Sequence, residues 1–117
     1  MRVLAFVLVP GLMLAAASAQ AETIAPNEAP NHAGQNVTVE GAVSDVDHAA
    51  SGRATFIDMG GHYPNNPFAA VIFKDDADKF SDVDTLNGKT IDVTGLIRLY
   101  QGRAEIILND PAQIKSK

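Results

Sequence analysis

Residues 36–48 read NVTVEGAVSDVDH, with apolar and polar positions alternating at the period of two that a pleated strand imposes. Val37, Val39 and Val43 share one side, and Thr38 and Glu40 the other. Gly41 falls on the apolar side and Val46 has the opposite parity to Val43, which predicts one long strand that bends midway. HAASGR then supplies a turn, and ATFIDM and FAAVIF read as the second and third strands. Both faces of FAAVIF are apolar. A small closed sheet buries only one of them, which leaves Phe68, Ala70 and Ile72 as a candidate outer face for another protein or a second copy of the chain.

The period changes in DDADKFSDVDTL, where Ala77, Phe80 and Val83 recur at helical spacing behind acidic residues that suit a helix N-terminus. Asp75 or Asp76 is the expected cap, and Asn87-Gly88 the expected stop. The clearest pattern is KTIDVTGLIRLYQGRAEIIL. Placing Gln101-Gly102 in a two-residue hairpin turn pairs Leu99 with Ala104 and Arg98 with Glu105. In that register Ile91, Val93, Gly95, Ile97 and Leu99 share an apolar face with Ala104, Ile106 and Leu108. Asp92, Thr94, Arg98, Tyr100, Arg103 and Glu105 face water. Five strands, the first bent at a glycine, with one short helix between the third and fourth, describe an all-β, five-stranded Greek-key barrel of the OB type.

Ahead of the strands, Met1-Arg2 is followed by an apolar run and by Ala19-Gln20-Ala21, the pattern of a cleaved signal peptide over 1–21. Residues 22–35 read as an N-terminal extension with a short helical turn capped by Asn27, and 36–114 as the OB domain. Cleavage leaves 96 of 117 residues and predicts a periplasmic or secreted protein without stable membrane insertion. The chain has no cysteine, so packing and backbone pairing must supply the stability that disulfides give many small exported domains. Loss of Arg2 takes the charge from −5 to −6, a poor match for bulk nucleic acid, where phosphate neutralisation dominates affinity.

VTVEGAVSDV, TFIDMGGHYPNNPFAAVIF, GKTIDVTGLIRLYQGRAEIIL and the closing PAQI together resemble small exported bacterial OB-fold proteins, similar to the nucleic-acid-binding-like modules found beside secreted nucleases. The resemblance covers residues 24–114. It implies the fold and a binding role, with single-stranded nucleic acid or another small ligand as the partner and without catalytic residues.

The candidate contacts are Arg98, Tyr100 and Arg103 at the hairpin tip, joined by Arg53 after the first turn. Aromatic rings for stacking and guanidinium groups for phosphate are what single strands require. The competing reading makes Arg98 and Glu105 an ordinary cross-strand ion pair and Tyr100 a cover for the sheet. GGHYPNNP offers His62, Tyr63 and Asn65 to a ligand; equally, its glycines and prolines turn the chain while Tyr63 and Phe68 close a barrel end. Asp45, Asp47 and His48 do not all share a side of their strand, and His32, His48 and His62 lack ligand spacing, so no metal site and no cofactor is expected. No nucleophile motif points to an enzyme. The remaining alternatives are a protein-interaction module and a binder of cations or small polar ligands, which the acidity suits.

Overall fold

A computed structural model describes residues 21–117 of the protein; all but the last residue of the expected signal peptide lies outside the described residues. The strands are β1 (Glu22–Ile24), β2 (Asn36–His48), β3 (Ala54–Met59), β4 (Phe68–Phe73), β5 (Thr90–Leu96), β6 (Arg98–Tyr100), β7 (Arg103–Leu108) and β8 (Ile114–Ser116). The sheet order is β6-β7-β4-β3-β2-β5-β8, with β1 added in parallel beside β2. All ladders of the path are antiparallel except β4 with β7. That one parallel pairing, together with a long β2 shared between β3 and β5, is the strand arrangement of an OB fold.

Several expectations need correction. Among the described residues there are eight strands, not five, and the hydrogen-bonded path is open rather than a closed barrel. The expected fourth strand divides at Ile97, whose N–H donates to the Gln35 carbonyl and whose carbonyl accepts from the Gly34 N–H. Residues before it pair with β2 and residues after it with β7, so the change of partner interrupts the ladder. Gly95 lets the two layers meet there, since a Cβ would stand 2.6 Å from Ile106 Cγ2. The single helix is likewise replaced by two 3-10 segments, Lys74–Phe80 and Val83–Leu86, with a break at Ser81-Asp82. Neither Asp75 nor Asp76 caps the first of them, whose N-cap position is Phe73, without a side-chain cap. Aspartate is a weak helix former, and only Phe80, Val83 and Leu86 of this stretch reach the core.

The residues ahead of β2 belong to the packed domain. Ile24 and Ala29 are buried in the core, and a 3-10 segment spans Pro26–His32. Ala25, not Asn27, is its N-cap, and the Ala25 N–H donates to Glu28 Oε1 at 2.9 Å.

The core is built from one face of each main strand: Val37, Val39 and Val43; Ile57 and Met59; Phe68, Ala70 and Ile72; Ile91 and Val93; Ala104, Ile106 and Leu108. Burying each large apolar side chain contributes about 1.5–3 kcal/mol. Phe68, Ala70 and Ile72 are therefore interior residues, and the expected docking face on them does not exist. Leu99 keeps its expected partner Ala104 but is 52% exposed, because β6 lies at the end of the sheet path.

The break in β2 occurs at Ser44. Val43 opposes Met59 and Asp45 opposes Asp58, so Ser44 is the extra residue of a bulge, and its Oγ accepts from the Gly61 N–H at 3.0 Å. Gly41 serves a different purpose: a Cβ there would meet Pro26 Cγ at 2.7 Å. The bulge returns Val46 toward the core and sends Asp45 and Asp47 to the outer face.

Candidate ligand site on the outer face of the sheet

Strand pairing sets a row of residues across the outer face. Asp45 opposes Asp58, Asp58 opposes Ala69, Ala69 opposes Glu105, and Glu105 opposes Arg98. The next row is Asp47, Phe56, Val71 and Ile107. On the other side of the first row, Tyr100 pairs with Arg103 beside the Gln101-Gly102 turn, whose φ values are 52° and 82°.

These rows floor a cavity of about 430 Å³ lined by Asp47, His48, Ala49, Phe56, Asp58, Tyr63, Tyr100, Gln101, Arg103 and Glu105. Three loops meet there: the β2–β3 turn, the β3–β4 loop and the β6–β7 turn. Each arginine of the hairpin lies near a tyrosine ring. The Arg103 guanidinium lies 4.9 Å from the Tyr63 ring centre, and the Arg98 guanidinium 5.8 Å from that of Tyr100. Both distances allow cation–π attraction.

Of the residues proposed from sequence, Tyr63, Tyr100 and Arg103 line the cavity. Arg98 stands beside it, holding Glu105 across the strands at 3.2 Å, so the ion pair forms as the alternative reading had it. Arg53 and His62 are exposed and do not line the cavity; the Arg53 N–H donates to Ser51 Oγ, and the His62 carbonyl accepts from the Asn65 N–H. Tyr63 does not close a barrel end: it is 62% exposed and packs its ring against Arg103. His48 bridges Asp84 Oδ1 at 2.7 Å and Thr55 Oγ1 at 3.1 Å, tying the second 3-10 segment to the sheet.

Sequence reasoning missed two buried acids. Glu105, placed in water by alternation, is 2% exposed, and so is Asp58. Asn66 is buried beside Asp58; its Nδ2 donates to Asp58 Oδ1 at 3.1 Å and to the Phe68 carbonyl at 3.0 Å. Asp58 Oδ2 is enclosed and has no hydrogen-bond partner among the described residues. Burial pushes the Asp58 carboxyl from its ordinary 3.8 up to about 7; the charges of Asp47 and Asp45 add to this, and Arg103 opposes it. A lone carboxylate inside TFIDM was the available signal, since an acid in the middle of an apolar strand must be accommodated.

No protein-family model matches the chain, and no curated protein matches it. Among solved structures it is similar to the OBody AM1L10 bound to hen egg-white lysozyme, with a TM-score of 0.60 and 18% identity over 86% of this chain and 98% of that one. The OBody AM2EP06, also bound to hen egg-white lysozyme, gives 0.57 and 17% over 86% and 96%. Asparaginyl-tRNA synthetase from Pyrococcus horikoshii gives 0.59 and 17% over 83% of this chain, which spans only 23% of that synthetase. At these identities the likeness establishes the OB fold.

Proposed function

We propose that the protein is an exported, non-catalytic OB-fold module that binds a short stretch of single-stranded nucleic acid on its outer face, gripping bases rather than backbone. The observation that carries this reading is the convergence of Phe56, Tyr63, Tyr100 and Arg103 on one cavity between the β2–β3 and β6–β7 turns. OB folds take oligonucleotides and oligosaccharides on this side. Aromatic faces stack with any base, and each stacked base is worth about 1–3 kcal/mol. The carboxylates in the cavity, Asp47, Asp58 and Glu105, outnumber its one arginine. They suit the amino groups of bases and disfavour phosphate. The asparaginyl-tRNA synthetase, whose name gives it an RNA substrate, adds support by analogy of fold.

Labelled oligonucleotides titrated in about 20 mM salt test the reading. Binding is expected to fall about 5-fold or more in Tyr63→Ala and in Tyr100→Ala. Its salt slope should be shallow, near about −1, because few phosphates are neutralised. Absence of binding at that salt, the most permissive condition, rejects it. Export is checked separately by N-terminal sequencing of the protein recovered outside the cytoplasm, with a start at Glu22 expected.

A second reading rests on the exposed side chains of Tyr63, Leu99 and Tyr100 at one end of the sheet. The OBody complexes hold a protein partner, lysozyme. Were this chain to do the same, the patch would be this rim and not Phe68, Ala70 and Ile72. Leu99→Asp should then abolish capture of the partner while leaving oligonucleotide titrations unchanged.

A further inference from the structure

Asp45, Asp47 and Asp58 come from two strands and meet on the outer face, where one carboxylate oxygen from each lies within 4.8 Å of the others. We propose that these three residues bind a divalent cation, Ca2+ by preference, at the edge of the cavity. Two oxygens held by one Ca2+ at about 2.3–2.6 Å lie at most about 5 Å apart, so the cluster accepts the ion without backbone movement.

A group of acids alone would not make a site, and the second observation is the state of Asp58. It is 2% exposed, its Oδ1 is held by Asn66, and its Oδ2 has no hydrogen-bond donor. Buried carboxylate oxygens are satisfied as a rule, and a bound cation satisfies this one. Asn66 then serves as the outer partner that fixes the orientation of a ligating carboxylate. The Ser44 bulge contributes as well, since it points Asp45 and Asp47 to the side of Asp58.

Charge leads to the same conclusion. No salt bridge among the described residues involves Asp45, Asp47 or Asp58. Arg103 is the cation beside Asp58, yet its guanidinium is drawn over Tyr63, and its Nε donates to no acceptor. The donor set is all carboxylate oxygen, as hard ions prefer; His48 is engaged by Asp84 and Thr55. Water would complete the coordination, leaving positions open toward the cavity. The inference does not depend on what ligand the cavity takes.

Calorimetric titration of the purified, EDTA-stripped protein with CaCl2, MgCl2 or MnCl2, without oligonucleotide, tests it. One saturable Ca2+ site is expected, with Kd on the order of 10⁻⁴–10⁻³ M and weaker Mg2+ binding. At about 10 mM Ca2+ the Tm should rise by roughly 5–10 °C. Asp45→Asn and Asp47→Asn should each weaken the Kd about 10-fold or more, while Asp75→Asn on the exposed acidic segment leaves it unchanged. Amide shifts on the wild-type chain should cluster at 44–48 and 57–59, a readout that stands even where a variant folds poorly. No saturable heat with any of the three ions, binding that survives Asp45→Asn and Asp47→Asn, or shifts centred elsewhere would overturn the proposal and leave a proton shared between Asp47 and Asp58 as the occupant.

Discussion

Strand β2 carries an acidic cross-strand pair in each of its halves, and the fold treats the two differently. In the first half Glu40 opposes Asp92 on β5, and Lys117 reaches both, at 3.3 and 3.5 Å. The hydrogen bond that Lys117 donates to Glu40, with the charges of Asp92 and Glu40, raises the Lys117 pKa. Alongside, Thr38 and Thr94 share a hydroxyl hydrogen bond at 2.7 Å. That outer face is partly exposed, and Lys117 neutralises its charges from within the chain, while Asp92 Oδ1 is enclosed without a hydrogen-bond partner among the described residues. In the second half Asp45 opposes Asp58 on β3, Asp47 joins them, and no lysine arrives. There the β3–β4 loop and the β6–β7 hairpin border the cavity, and Asp58 at its floor is 2% exposed. Like charges that a lysine would screen are left facing one another beside aromatic rings. The same alternating strand thus yields one acidic pair that a lysine neutralises and one that none reaches, and the difference lies in what the fold brings over each half.

Phe68→Ala should break the contrast most severely. The ring is fully buried at the start of β4, where the β3–β4 loop that borders the second half ends, and its loss leaves a cavity in the core. A loss of about 3–5 kcal/mol is expected from urea denaturation, or outright failure to fold. A smaller effect, of opposite sign, is expected for Asp58→Asn measured in chelator. The folded state raises the Asp58 pKa from 3.8 to about 7, so between those values it holds a proton that the unfolded chain has released. Stability therefore falls as pH rises through that window and levels off above about 7. The amide of the variant mimics the protonated acid, so Asp58→Asn should be more stable at about pH 8, on the order of 1–3 kcal/mol. It should also lose the slope between about pH 4 and 7; a wild-type slope retained in the variant would show that another group is responsible. Glu40→Gln should change least. Its pair with Lys117 joins side chains that are 38% and 47% exposed, and such pairs contribute little, so the thermal midpoint should stay within error and the calcium response should persist.

Much of the fold was legible because strand alternation and the Gln101-Gly102 turn are local signals. The hairpin register, with Arg98 opposite Glu105 and Tyr100 opposite Arg103, appears as the spacing required. The bend in β2 was also visible as a change of parity between Val43 and Val46, though its seat is Ser44 rather than Gly41. Strand count was less legible. Ile97 looks like one more position in an alternating strand, and only its bonds to Gly34 and Gln35 divide that strand in two.

The site was half legible. Residue type alone drew notice to Tyr63, Tyr100 and Arg103, at turns far apart in sequence. Alternation could assign Glu105 and Asp58 to a face, but not say whether that face was wet. It also could not say which side of FAAVIF was interior, since both sides are apolar. By itself the sequence determined the strands, the main hairpin register and the residues available for stacking, because these depend on neighbours one or two positions away. Only the tertiary structure decided which face is covered. Burial, and with it the raised pKa of Asp58 and the unpartnered oxygen beside Asp45 and Asp47, arises from loops packing across strands that the chain reaches many residues apart.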